Sequence, residues 1–288
     1  MMPAQRPRTL EEVHARGKFF ATEAGLAAGL SYRARASDVF IVTPPKCGTT
    51  WVQQIVHGLR SGGDMSFDEI TRVVPWLEMA HDMRLPLGQA FQPQAFKTHY
   101  PLPHLPQGGK YIIVLRDPGA SLVSHWRFLS GWMFEPDSIS LEQYARDRIR
   151  HGRNWYRHAQ AALAQRDPSR NLLLFYEDLL EDLAGAVRKI AHLMGIGLNA
   201  ELLATVLHQS SREFMLQHAD KFNDHLVQST RNPAMGLPAH GAAAKVRPQQ
   251  NGPELPAAVQ QELAAVWQEE MAGLGYRDYA ALRASCRT

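Results

Sequence analysis

The stretch Thr43-Pro-Pro-Lys-Cys-Gly-Thr-Thr-Trp51 constrains the fold of this chain more than any other. An apolar run at 39–42 precedes it and apolar residues at helical spacing follow it, so the predicted order is strand, tight loop, helix. Gly48 lets the backbone approach a ligand closely. The amides of Thr49 and Thr50 would open a helix whose positive end favours an anion. The loop is therefore predicted to bind a phosphate or a similar group.

This loop differs from the Walker A pattern G-x-x-x-x-G-K-[ST]. Lys46 precedes Gly48 by two residues, and Pro44 stands where the first glycine would be needed. Taken alone, such a loop is more often a simple turn than a binding site. A functional interpretation therefore depends on further anion-binding residues elsewhere in the chain.

Composition sets the broad class of the protein. The 288 residues, 45% of them hydrophobic, predict a single domain over 1–288 with a sizeable core. A net charge of +3 without a Lys/Arg run does not predict nucleic-acid binding. The only cysteines are Cys47 and Cys286, which argues against a disulfide framework. Without a signal-peptide pattern or an apolar run of about twenty residues, the sequence predicts a cytoplasmic protein with no membrane span.

Three more segments, at 95–99, 110–115 and 171–175, are predicted as short strands, and the apolar runs at 110–115 and 171–175 are predicted to be buried. They alternate with helical patterns, so the expected fold is a three-layer α/β/α sandwich with a central parallel sheet, similar to P-loop NTPases. Asp178, after the last strand, is predicted to cap the next helix. Ligands of open α/β sheets bind at the carboxyl ends of the strands.

Polar side chains follow two of these strands at that edge. Lys97 and His99 lie two residues apart and so face the same side of a strand. Arg116 ends another strand, Asp117 is predicted to cap the next helix, and Ser124 lies about two turns into that helix. Each residue taken singly is more often an ordinary surface group. Their position at the edge where ligands bind makes them candidate site residues.

The segment 221–252 is polar and rich in Pro, Gly, Asn and Gln. A loop of this length inside a compact domain is usually a lid or disordered. We therefore predict a mobile lid over 221–252, with Arg231, Lys245 and Arg247 as its cations.

Taken in order, these stretches resemble the cytosolic-type sulfotransferases, whose donor is 3′-phosphoadenosine 5′-phosphosulfate (PAPS) and whose product nucleotide is adenosine 3′,5′-bisphosphate (PAP). The resemblance implies a PAPS-dependent enzyme that moves a sulfonate group to a hydroxyl or amine of a small acceptor without a metal. It extends over about residues 38 to 255 and rests on 43–51, Phe96-Lys-Thr-His-Tyr-Pro101, Arg116 with Ser124, and Phe175-Tyr-Glu-Asp178.

The resemblance also implies roles for individual residues. His99 is similar to the family's general base, and Lys97 to a strand lysine near the transferring sulfonate. The implied donor contacts are Lys46, Cys47, Gly48, Thr49 and Thr50 with the 5′-phosphosulfate, Arg116 and Ser124 with the 3′-phosphate, and Trp51, Tyr176 and Ser211 with adenine.

Two positions depart from the family pattern. Cys47 replaces a common serine, so its backbone but no hydroxyl would take part. Arg247 matches the lid motif R-K-G-x-x-G-x-W-K only in part, because Pro248 and Gln249 follow it.

Two other functions compete with this interpretation. A P-loop kinase would need a lysine after the glycine and a carboxylate for Mg²⁺, and neither is evident. A non-catalytic nucleotide-binding protein would be expected to lack the base, yet His99 is present. The acceptor and the oligomeric state are not specified. Side chains that would give an apolar or aromatic acceptor pocket are Phe19, Phe20, Trp76, Trp132, Met133, Phe134 and Phe222.

Overall fold

The computed structural model describes residues 4–241, 244–246 and 253–287, arranged around a parallel sheet. All four predicted strands are confirmed; three are mostly apolar, and the strand at 95–98 also contains Lys97 and Thr98. The strands lie in the order β2-β1-β3-β4, with β1 at Val39–Val42, β2 at Ala95–Thr98, β3 at Lys110–Leu115 and β4 at Asn171–Phe175.

Residues of β1 alternate between the two faces of the sheet. Val39 and Ile41 pack with one set of helices, whereas Phe40 and Val42 pack on the opposite face. All four are fully buried, as expected for a central parallel strand covered on both sides. The predicted three-layer arrangement is therefore confirmed.

The helices are α1 Leu10–Gly17, α2 Glu23–Leu30, α3 Thr49–Ser61, α4 Ile70–Val73, α5 Pro118–Leu129, α6 Leu141–His151, α7 Asn154–Ala164, α8 Tyr176–Glu181, α9 Leu183–Met194, α10 Ala200–Gln209, α11 Arg212–Gln217, α12 His225–Arg231, α13 Ala257–Met271 and α14 Tyr279–Ser285. Helices α3, α9 and α10 bury side chains against the face of the sheet that carries Val39, whereas α7 packs on the opposite face. Across the described residues, no helix is both long and apolar enough to cross a membrane.

Capping explains where two of these helices begin. The Asp117 carboxylate accepts a hydrogen bond from the Ala120 amide at 2.7 Å, which confirms the predicted start of α5. The prediction for Asp178 is wrong. A short helix, α8, begins directly after β4, so Asp178 falls inside it and pairs with Arg283 of α14 at 2.6 Å. Asp182 caps α9 instead.

The prediction of one long loop from residue 221 is wrong for its first part. Helix α12 lies there between two 3₁₀ turns, Ala219–Phe222 and Pro233–Met235. Phe222, Val227 and Met235 are buried, so a few apolar side chains anchor a segment whose composition is mostly polar. Closure of a lid over the nucleotide stays a prediction.

Candidate active site

A cavity of about 1620 Å³ opens at the edge of the sheet where β1, β2 and β3 end. It brings together most of the predicted site residues from distant parts of the chain. Cys47 does not line it, and Arg247 falls outside the described residues. The predicted residues that line it are Lys46, Gly48, Thr49, Thr50, Trp51, Lys97, His99, Arg116, Ser124, Tyr176 and Ser211.

The 43–48 loop has the backbone of an anion cradle. Gly48 is the N-cap of α3 with φ of 92°, and it has no side chain to accept a bond from the first amides of the helix. A Cβ at this position would lie 2.9 Å from the Tyr176 ring. The hydroxyls of Thr43 and Thr49 lie 2.6 Å apart and join the two ends of the loop. An anion can therefore approach the exposed helix start closely.

Cys47 faces away from this cradle. Its side chain is fully buried and packs with Leu115 and Phe175. Burial raises the pKa of the thiol far above its usual value, so the group stays neutral. Only the backbone of Cys47 is available to a ligand, in agreement with the tolerance for cysteine inferred from the sequence.

Two cations flank the loop. The Lys46 ammonium lies 3.9 Å from the centre of the Phe128 ring. Arg116 donates from Nη1 to the Lys46 carbonyl at 3.3 Å, and its guanidinium carbon lies 4.3 Å from the centre of the Tyr176 ring. Ser124 lines the same cavity from α5. These groups supply positive charge and a hydroxyl beyond the loop, as a second phosphate requires.

Aromatic rings form another part of the wall. The rings of Trp51 and Tyr176 lie 5.6 Å apart, edge to face. Trp51 donates from Nε1 to the Ser210 carbonyl at 2.8 Å, which ties α3 to the turn before α11. Ser211 accepts from the Phe214 amide at 3.2 Å and caps α11. A flat base would fit against these rings.

His99 is held in a defined tautomer. Its Nδ1 lies 2.8 Å from the Thr43 carbonyl, which can only accept, so Nδ1 carries the proton and the lone pair is on Nε2. Glu78 accepts from the His99 amide at 2.9 Å, and His158 lies 3.1 Å from the His99 carbonyl. Burial, together with the charge of Lys97, lowers the pKa of His99 to about 3. The imidazole is thus neutral at pH 7 and able to accept a proton.

Lys97 is 2% exposed and lies beside His99. Its ammonium is 4.5 Å from the centre of the Trp76 ring and 3.8 Å from Oδ1 of Asp224. Burial, and to a smaller extent Lys245, lowers the pKa of Lys97 to about 8. No local sequence signal identifies Asp224 as a site residue, because it lies far along the chain inside the segment predicted as a lid.

The comparison with protein families decides the class of this site. A family model described as a sulfotransferase domain matches residues 36–275. The chain belongs to the sulfotransferase family. The sulfotransferase is 31% identical over 202 residues to 3-alpha-hydroxysteroid sulfotransferase of Cavia porcellus, covering 65% of this chain and 69% of the relative. It is 32% identical over 201 residues to sulfotransferase 1B1 of Canis lupus familiaris, covering 64% and 68%.

Solved structures agree on the fold. Retinol dehydratase in complex with retinol and PAP has a TM-score of 0.63 at 18% identity, covering 93% of this chain and 95% of that one. Mouse sulfotransferase SULT7A1 complexed with PAP has a TM-score of 0.63 at 19% identity, covering 92% of each chain. These structures show the predicted P-loop-like α/β fold, and the match to the sulfotransferase domain shows a PAPS-dependent enzyme. The roles of single residues stay predictions.

Part of the remaining cavity wall in the sulfotransferase is apolar. Four of the predicted acceptor-pocket residues line it: Phe20, Trp76, Trp132 and Met133. The prediction is wrong for three others. Phe19 is 60% exposed, whereas Phe134 and Phe222 are fully enclosed in the core, so neither group faces the cavity. In segments without regular secondary structure, the sequence does not show which aromatic side chains face a cavity and which face the core or the solvent.

No metal centre is evident in the parts of the sulfotransferase that the structure covers. Within 4–241, 244–246 and 253–287, no group of three or more His, Cys, Asp or Glu is placed to hold a metal ion. Independence from metals stays a prediction to be measured.

Proposed function

We propose that this sulfotransferase moves the sulfonate group of PAPS to a hydroxyl or amine of an apolar or aromatic small molecule, with His99 as the general base. One observation carries the proposal. Neutral His99, with its proton fixed on Nδ1, shares a cavity with Lys46 and Arg116. A base, a cradle for an anion and an apolar wall thus converge on one space.

The residues present suit the donor nucleotide. The uncapped start of α3 with Lys46 would hold the 5′-phosphosulfate, and Arg116 with Ser124 would hold the 3′-phosphate. Trp51 and Tyr176 would flank the adenine. Bound PAPS supplies a sulfonate joined to a phosphate leaving group.

His99 would take the proton from the acceptor oxygen or nitrogen. The imidazole needs its lone pair on Nε2 for this step, and the Thr43 carbonyl enforces that tautomer. The pKa of about 3 belongs to the ligand-free cavity. Negative charge brought in by the donor favours imidazolium and raises the pKa toward the working range of a general base.

Lys46 and Lys97 would stabilise the negative charge that develops during transfer. Both ammonium groups are fixed against an aromatic ring, Phe128 or Trp76, before any ligand binds. Fixed cations in a partly dry cavity act strongly because no reorganisation is needed at the moment of reaction. The chain can therefore provide this stabilisation through its own side chains.

The acceptor class follows from the wall beside His99. The Trp76 ring lies 5.0 Å from the His99 ring, and Phe20 and Trp132 extend this aromatic surface. Such a surface favours a flat or apolar acceptor. Relatives named as hydroxysteroid sulfotransferases are consistent with an apolar alcohol. We further propose a cytoplasmic location, since Cys47 and Cys286 are both free thiols.

Labelled sulfonate transfer from PAPS onto a panel of phenols, sterols, amines and sugars tests the proposed function. We expect transfer to a phenol or apolar alcohol, undiminished after treatment with a chelator, and no transfer to sugars. ATP with Mg²⁺ serves as the control donor. Turnover of ATP that requires Mg²⁺, with no use of PAPS, would contradict the proposal.

The role of Lys97 predicts an alkaline limit to activity. Its pKa is lowered to about 8, so the ammonium is complete below that pH and is lost as the pH rises through it. We expect kcat/KM, which reports groups of the free enzyme, to fall above pH 8 in the wild type. In Lys97→Arg, where the charge persists, this limb should move beyond pH 10. If the pH profiles of the wild type and Lys97→Arg superimpose, the charge of Lys97 does not contribute to catalysis.

A further inference from the structure

We propose that Asp224 is a positioning residue that holds the Lys97 ammonium at the reaction site, an inference that rests on the proposed role of Lys97. Asp224 lines the cavity although it is only 3% exposed. No matched family pattern in the sequence includes it.

Helix capping does not account for the Asp224 side chain. Asp224 is the N-cap residue of α12, yet its carboxylate makes no capping hydrogen bond, and its backbone has φ of 59°. Asn223 accepts from the His225 amide at 3.0 Å, and Glu69 accepts from the Leu226 amide at 3.2 Å. Neighbours thus satisfy the helix start and leave the Asp224 carboxylate for another role.

Two lysines share one oxygen of this carboxylate. Oδ1 of Asp224 accepts a hydrogen bond from the Lys245 ammonium and lies 3.8 Å from the Lys97 ammonium. The side chains of Lys97 and Lys245 are 3% and 8% exposed. Two ammonium groups buried this far from water would repel each other without a carboxylate between them. Asp224 therefore makes the burial of both charges possible.

The carboxylate also sets where the Lys97 charge lies. Asp224 and the face of the Trp76 ring both contact the Lys97 ammonium, and the Trp76 ring in turn meets the His99 ring at 5.0 Å. A long side chain restrained by two partners has little rotamer freedom left to lose on ligand binding. Asp224 thereby places a cation beside the predicted base.

Within the described residues, the charges that face Lys97 raise or lower its pKa as follows. Burial and the Lys245 ammonium lower the pKa of Lys97, whereas Asp224, Glu69 and Glu78 raise it. Burial alone would raise the pKa of Asp224, but Lys245, Lys97 and Lys46 hold it below its usual range, so the carboxylate is ionised at neutral pH. His99 is neutral there and adds no charge. Removal of the Asp224 charge should therefore lower the pKa of Lys97, whereas removal of the Lys245 charge should raise it.

The test measures the Lys97 pKa in two variants by NMR of ¹³C-labelled lysine side chains, with the resonance assigned from Lys97→Arg. In Asp224→Asn we expect the pKa of Lys97 to fall by about 1 to 3 units, because an opposite charge close by is lost. In Lys245→Met we expect it to rise. Lys189→Met, at an exposed position on α9, is the control and should leave it unchanged.

The alkaline limb of kcat/KM should follow the same shifts, moving to lower pH in Asp224→Asn and to higher pH in Lys245→Met. If the substitutions only impaired folding, both variants would lose activity without opposite shifts of the pH profile. Melting temperatures measured for each variant would reveal such a loss of folding. An unchanged Lys97 pKa in both folded variants, or shifts of the same sign, would overturn the inference. Shifts in pKa that the activity profile does not follow would support Asp224 as the anchor and reject the proposed role of Lys97.

Discussion

Replacement of His99 by alanine is expected to lower kcat by about 10²- to 10⁴-fold, the usual contribution of a general base. This corresponds to about 3 to 5 kcal/mol of transition-state stabilisation. The cause is the loss of the Nε2 lone pair, which the Thr43 carbonyl fixes by holding the proton on Nδ1. Binding of PAP should change little, because the predicted nucleotide contacts lie at the loop, Arg116 and Tyr176. Single-turnover kinetics and calorimetry measure the two quantities separately.

Two variants sharpen this experiment. His99→Gln retains polarity and size near Trp76 but has no basic nitrogen, so it should be as inactive as the alanine variant. His192→Ala removes an exposed histidine of α9 and should retain full activity. If His99→Ala keeps turnover within about tenfold of the wild type, below the usual range for a base, another group takes the proton.

The pH dependence offers an independent check on His99. Its pKa in the free enzyme is lowered to about 3, so the neutral form persists as the pH falls until that value is approached. The profile of kcat/KM reports groups of the free enzyme. We therefore expect no acid limb from His99 in kcat/KM between pH 5 and 8. A limb near pH 6.5 that disappears in His99→Gln would show that the free imidazole is more basic.

The strands and the loop were predictable because their signals are local. A run such as Lys110–Leu115 is apolar enough to be buried on both faces, and Asp117-Pro118, one residue beyond its end, specifies a helix start. Parallel strands then place their carboxyl ends at one edge, which brings Lys46, His99 and Arg116 to a single cavity. Local patterns combined with one topological rule were sufficient for this part of the site.

The partners of these residues could not be predicted in the same way. The contact between Lys97 and Asp224 joins β2 to the start of α12, and no spacing rule links them. The polar composition after residue 221 suggested a loop, whereas Phe222 and Val227 anchor the segment in the core. A few apolar side chains are enough to hold a mostly polar segment in place when the rest of the domain provides an apolar surface for them to pack against. Buried charge networks of this kind depend on tertiary contacts and leave little trace in a single sequence.

Replacement of Arg116 by alanine is expected to weaken PAP binding by about ten- to a hundredfold. A charge-assisted hydrogen bond contributes about 1.5 to 3 kcal/mol, and each 1.4 kcal/mol changes affinity about tenfold. AMP lacks the 3′-phosphate and should lose much less. Arg116 also donates to the Lys46 carbonyl, so a small loss for AMP is expected through the loop. The decisive quantity is therefore the loss of PAP affinity relative to the loss of AMP affinity, both measured by calorimetry.

Ser124→Ala provides the companion measurement, because this hydroxyl is predicted to contact the same phosphate without touching the loop. We expect it to weaken PAP by about tenfold or more, as for one hydrogen bond to a charged group of about 1.5 to 3 kcal/mol, and to leave AMP unchanged. In the wild type, PAP should raise the melting temperature well above AMP at equal concentration, since unpaired buried donors remain when the 3′-phosphate is missing. Two outcomes would contradict this assignment: equal increases in melting temperature with PAP and AMP, or equal losses of affinity for both nucleotides in Arg116→Ala. Either would mean that Arg116 only supports the loop and that the 3′-phosphate binds elsewhere.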